Sequence, residues 1–153
     1  LNEVKLLRDQ IKTTYQGDSW HGPSVLKTLD GVDLKQAKSR PMPDRHTIWE
    51  LVDHTAFWLE VSTEAAKGNY QEPDLEGNWP KMGETEDDWN RSLNRLEIAI
   101  NSLQNALAPL TNNDMKKIIP CTDYNLRQML HGALHHNLYH AGQIAILKDK
   151  LEK

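Results

Sequence analysis

The sequence predicts an all-α fold, a four-helix bundle, and two observations carry the prediction. Four long stretches place apolar residues at helical spacing and are separated by loops rich in Pro, Gly and Asn. No segment shows the alternation of β-branched and polar residues that a half-buried strand requires. Helices with one apolar stripe each bury those stripes against one another, which is the bundle solution. At 153 residues the chain suits one domain spanning 1–153, because a second independent core would leave each half near the lower limit for stable folding.

The first helix is expected over residues 2–15, with Val4, Leu7, Ile11 and Tyr15 on one face; Gly17 and Asp18 stop it. Residues 20–45 connect it to the next and hold two short helical turns. Pro23 is placed to open the first turn and Gly31 to close it, and Asp33 with Gln36 caps the second. Pro41 and Pro43 then force an extended stretch. The second long helix begins at Thr47, where Thr47 and Glu50 form a capping box, and runs to about Lys67 before Gly68-Asn69. Residues 69–84, with Pro73, Gly77, Pro80 and Gly83, read as a loop. The third helix starts near Thr85, its positive end matched by Glu86, Asp87 and Asp88, and ends before Pro109. The last has Asn125 as N-cap with Gln128 three residues on, and runs to near Lys150.

Composition narrows the function classes. With 22 acidic and 18 basic side chains the net charge is -4, which argues against a nucleic-acid binder that must neutralise phosphates. No run approaches the roughly 18 apolar residues of a membrane span. A single cysteine, Cys121, excludes an internal disulfide and a thiolate-rich metal site. The chain opens at Leu1 without a basic-then-apolar leader, and the expectation is a cytoplasmic protein. What stands out is histidine: seven in all, including His131, His135, His136 and His140 within ten residues.

Helical geometry sorts these. With about 100° per residue, Leu126, Met129, Ala133, His136, Asn137, Gln143, Ile144, Leu147 and Leu151 fall within about 60° of His140. His131 and His135 fall on the opposite face. On the second long helix, His54 shares a face with Leu51, Phe57, Trp58, Val61 and Ala65. Two imidazoles at i and i+4 lie about 6 Å apart and can clamp one cation, and a third from a neighbouring helix completes a three-ligand site. Neutral imidazole suits Zn, Ni, Cu or Fe, with Zn or Ni expected first. Three protein ligands leave positions open for water or substrate. The competing reading is three hydrogen-bonded core histidines, and a His-x-x-x-His pair alone is a weak signal, as the outward pair shows. That reading needs several buried hydrogen bonds, each costing ~1–3 kcal/mol when unmade. The zinc-protease pattern His-Glu-x-x-His and the di-iron pattern Glu-x-x-His are both missing from the sequence.

The stretch His136-Asn137-Leu138-Tyr139-His140-Ala141-Gly142-Gln143-Ile144 resembles the closing motif of the DinB/YfiT-like family of metal-dependent enzymes, a His-x-x-x-His pair followed by x-Gly-Gln. Thr47-Ile48-Trp49-Glu50-Leu51-Val52-Asp53-His54 resembles its second signature, and Trp20-His21-Gly22-Pro23-Ser24, Arg40-Pro41 and Asn78-Trp79-Pro80 extend the likeness over most of the chain. The resemblance implies an up-down-down-up bundle, a divalent metal on His54, His136 and His140, and a homodimer. It also implies chemistry with low-molecular-weight thiols: S-transfer with bacillithiol, or isomerisation with mycothiol.

Around the triad, Gln143 and Asn137 are candidates to hydrogen-bond a ligand imidazole or a substrate. Glu50, nearly one turn before His54, is explained by its cap but could hold His54 in one tautomer. His21, in a Gly-Pro loop, is a candidate for the pocket rim, with plain solvent exposure as the simpler reading. The five tryptophans are candidates to line an apolar cleft, with Trp58 expected in the core. Three functions follow. The first is a metal-dependent S-transferase acting on a small-molecule substrate. The second is a hydrolase in which the metal activates water. The third is a metal-stabilised bundle that binds a ligand or partner without turnover. An interaction module with no metal at all is a further possibility, in which all three inward histidines can be replaced without loss of stability.

Overall fold

The computed structural model describes residues 2–152. It is all-α: six helices and two short 3-10 turns, with no strand among the described residues. Four helices are long: α1 (Glu3–Gln16), α4 (Ile48–Lys67), α5 (Glu86–Leu107) and α6 (Leu126–Leu151). Two are short: α2 (Val25–Leu29) and α3 (Leu34–Lys38).

The ends of these helices follow from local chemistry. Thr47 caps α4 by accepting from the Glu50 N–H, and the Glu50 carboxylate accepts from the Thr47 N–H at 2.7 Å. At the other end Gly68 takes the left-handed conformation (φ 80°) that a side chain would resist, and closes the helix on Ala65 and Glu64. Reciprocal boxes also start α3 (Asp33 and Gln36), α5 (Thr85 and Asp88) and α6 (Asn125 and Gln128). The first short helix begins after Pro23, because the Ser24 hydroxyl takes the cap.

One hydrophobic core joins the elements. Leu7, Ile11 and Tyr15 of α1 meet Ile48, Leu51 and Leu59 of α4, Leu96, Ile100 and Leu103 of α5, and Leu130 and Ile144 of α6. Each such side chain contributes about 1.5–3 kcal/mol of transfer free energy. Trp49 and Trp89 lie tilted at 5.3 Å in the interior. Each finds a partner for its indole N–H, Ser92 Oγ for Trp49 and the Val32 carbonyl for Trp89. Helix α4 is central, packing most extensively on α5 and next on α6. Its first half is buried almost all round.

Two expectations change. Residues 69–84 contain a 3-10 turn, Leu75–Asn78, capped by the Asp74 side chain and packed on α4. Gly77 lets its backbone close on the Phe57 ring, since a Cβ there would sit 3.2 Å from it. The buried face of α6 is also rotated. Leu130 and Leu134, outside the expected stripe, are buried, whereas Met129, Ala133 and His136 are half-buried beside a cleft. A cleft replaces the core on that flank, so apolar periodicity marked both surfaces alike.

Candidate metal centre

His54 comes from the middle of α4, and His136 and His140 from adjacent turns of α6. Packing of α4 on α6 turns the three rings to one point. His136 Nε2 lies 3.0 Å from both His54 Nε2 and His140 Nε2. One ligand atom from each residue fits within 4.8 Å of the other two, so the three imidazoles could hold a metal ion. His54 and His140 are buried and His136 is half-buried.

The other nitrogen of every ring is engaged. His54 Nδ1 donates to the Asn78 carbonyl at 3.2 Å. His136 Nδ1 donates to Asn137 Oδ1 at 2.9 Å, and His140 Nδ1 donates to Gln143 Oε1 at 2.8 Å. Three oxygen acceptors therefore place all three protons on Nδ1 and direct three Nε2 lone pairs inward. Lone pairs 3.0 Å apart repel unless a cation lies between them, and bonds of about 2.0–2.1 Å from imidazole nitrogen to zinc suit this donor set. On this test the residues fit a divalent metal.

A further layer fixes the acceptors. Asn137, 1% exposed, donates through Nδ2 to the Tyr15 hydroxyl of α1, which holds its oxygen toward His136. The Trp79 ring stacks on His54 at 3.8 Å with 7° between planes, and His46 stacks on the far face of Trp79 at 3.7 Å. Burial pushes His54 down to about 4, against the pull of the Asn78 carbonyl, and the two neighbouring imidazoles push the same way. Burial also lowers His140, opposed by Gln143. Both rings are thus held neutral at pH 7, the state that ligates metal. The interior location raises Tyr15 far above the usual phenol range.

Beside His54 and His136 opens a cleft of about 600 Å³, with Trp58, Met129 and Ala133 in its wall and Tyr124 and Gln128 further along. Trp58 faces this cleft and meets His136 edge-on at 6.1 Å, which corrects its expected place in the core. Trp49 and Trp89 are interior, and Trp20 stands fully exposed, so the cleft takes one tryptophan in its wall and Trp79 behind His54. Gln143 and Asn137 touch ligand rings as described. Glu50 does not hold His54: its carboxylate is taken by Thr47, by Arg40 at 2.8 Å and by His46 at 3.5 Å, and the Asn78 carbonyl does that work. His21 is exposed in the Ser19–Gly22 turn and is not part of the cleft wall. The outward His131 and His135 remain near each other, 6.3 Å between ring centres, with no third ligand grouped with them among the described residues.

Sequence reasoning missed Tyr15 and the Asn78 carbonyl. Tyr15 read as a core residue, and nothing local marks a backbone oxygen that reaches a histidine 24 residues away. The Asn78-Trp79-Pro80 segment was the available signal.

Fold and site together define a helical protein with a three-histidine cluster, two of its members buried and one half-buried, that could hold a divalent metal. The sequence pattern of the DinB superfamily matches residues 19–144, and the chain belongs to that superfamily. No curated protein and no solved structure gives a significant match. No helix among the described residues is long and apolar enough to cross a membrane.

Proposed function

We propose that His54, His136 and His140 hold a divalent metal, Zn or Ni, and that the chain is a metal-dependent enzyme transferring a small thiol to an electrophile seated in the cleft. The observation that carries the reading is the convergence of three Nε2 atoms whose rings each have Nδ1 bound to an oxygen acceptor. When bound, such an ion is a Lewis acid that lowers the pKa of a thiol or water in its open position. The chain's own residues set the stage. Asn78, Asn137 and Gln143 hold the tautomers, Trp79 covers the outer face of His54, and Trp58 and Met129 limit water beside the reacting atoms. Thiol transfer is preferred to hydrolysis because the cleft wall is apolar near the histidines. The reading includes up-down-down-up packing of the four long helices and a homodimer. Tyr139 and Ile146, 63% and 62% exposed on one side of α6, support the dimer.

Elemental analysis of untagged protein tests the centre. The wild type is expected to carry near-stoichiometric Zn or Ni, and His140→Ala to carry none. Metal-dependent consumption of a thiol with an electrophile then supports transfer. A wild type that stays metal-free after reloading sinks the proposal. Metal-dependent stabilisation without turnover of either kind turns it into a binding protein.

A further inference from the structure

Asn78 carries two acceptor oxygens, and only one of them is used. Its main-chain carbonyl takes the His54 Nδ1 proton at 3.2 Å. Its side-chain Oδ1 is buried and has no hydrogen-bond partner. The side chain lies close enough to His54 to pull that ring's pKa upward, yet it does not reach the ring in a hydrogen bond. It also stands in the wall of the cleft of about 600 Å³, beside His54.

The main chain on either side is anchored. Asn78 ends the 3-10 turn Leu75–Asn78, which packs on α4. Gly77 closes on the Phe57 ring, and Trp79 stacks on His54. The backbone therefore cannot shift to find the side chain a partner within the protein. A buried acceptor left unpaired costs the full desolvation of the group, and folded proteins pair nearly all of them. Rotation of the amide about Cβ–Cγ, a soft torsion, turns Oδ1 from the wall into the cleft and leaves the carbonyl on His54 undisturbed.

The His54 ring sets the reach. Its Nε2 points to the other two imidazoles and its Nδ1 to Asn78. An atom on the metal and a donor on Oδ1 thus lie at opposite edges of one imidazole. Two carbons between sulfur and an N–H span that gap.

We infer that Asn78 is the recognition residue of the cleft: its carboxamide oxygen accepts an N–H that the thiol carries two carbons from sulfur. The inference rests on the metal and thiol reading above and deepens it, whatever charge the rest of the thiol bears. One residue then serves twice, its main chain fixing a ligand ring and its side chain choosing what binds beside it.

The test compares two thiols on the Co2+-loaded protein, read by the sulfur-to-cobalt absorption band. N-acetylcysteamine carries an amide N–H two carbons from sulfur. N-acetyl-N-methylcysteamine has the same sulfur and carbonyl but no N–H. The first is expected to bind the wild type about fivefold more tightly or better, the scale of one hydrogen bond. In Asn78→Leu that preference is expected to vanish while Co2+ uptake is retained, because the carbonyl on His54 belongs to the main chain. Asn78→Ala serves the same purpose if Asn78→Leu fails to fold. Equal affinities in the wild type, or a preference that survives in the variant, overturn the inference and leave the metal reading standing. Loss of Co2+ from both variants makes the side chain a support of the metal ligands and also overturns it. Co2+ uptake without a sulfur band from either thiol overturns the inference together with thiol transfer. A wild type that takes up no Co2+ overturns the metal reading as well.

Discussion

Among single residues, Asn137 links the most. It is buried in α6, it orients His136 through Oδ1, and its Nδ2 is spent on Tyr15 of α1. Removing its amide frees one imidazole to rotate and leaves the Tyr15 hydroxyl without its donor. Asn137→Ala is therefore expected to weaken metal binding roughly 10–100-fold and to cost ~1–3 kcal/mol of stability. A purely structural role would give the second effect without the first. Asn137→Asp, whose carboxylate accepts from His136 Nδ1 and from the Tyr15 hydroxyl, is expected to recover most of the affinity. Metal titration with a competing chelator and urea unfolding of both variants separate these outcomes.

Helix α4 shows how one element serves both fold and site. Its N-terminus is anchored by the Thr47–Glu50 box, with Thr47 1% exposed and its hydroxyl 3.2 Å from Met82 sulfur. Nearly two turns on, His54 faces α6. Thr47→Ala removes the cap and is expected to lower stability by ~1 kcal/mol, in the usual range for a lost N-cap. Because His54 is held by the Asn78 carbonyl and by Trp79, metal content is expected to stay unchanged. Loss of metal in this variant would place the start of α4 in the site's support after all. The capping boxes were legible because they are read from residues three apart. The 3-10 turn at Leu75–Asn78 was not, because its packing against α4 is a tertiary fact.

At the scale of the whole molecule, two buried imidazoles, His54 and His140, couple folding to protons. Burial lowers His54 to about 4 and lowers His140 as well, while both titrate near 6.5 in an unfolded chain. Below 6.5 the unfolded state binds more protons than the folded one, so stability falls with pH. Chelator-treated protein is expected to be fully stable at pH 7.5 and to lose stability progressively from about 6.5 toward 4. At pH 7.5, Zn2+ at 100 times its Kd adds about 2.7 kcal/mol, which raises Tm by roughly 5–10 °C in a chain of this size. Thermal melts across this pH range, with and without Zn2+, check both statements. A flat pH profile or a Zn2+-independent Tm contradicts them.

Much of this protein was decided by local and periodic information. Caps, breakers and apolar spacing located the four long helices within a residue or two, and the same periodicity separated His136 and His140 from His131 and His135. These features are readable because helix geometry relates residues three or four apart, whatever surrounds them. Tertiary structure alone decided which acceptor holds each ring, and brought Tyr15, Asn78 and Trp79 to the histidines. It also opened a cleft where the stripe of Met129, Ala133 and Trp58 promised core. An apolar side chain has the same signature whether it meets another helix or an empty cleft, and only the packed arrangement of helices distinguishes the two.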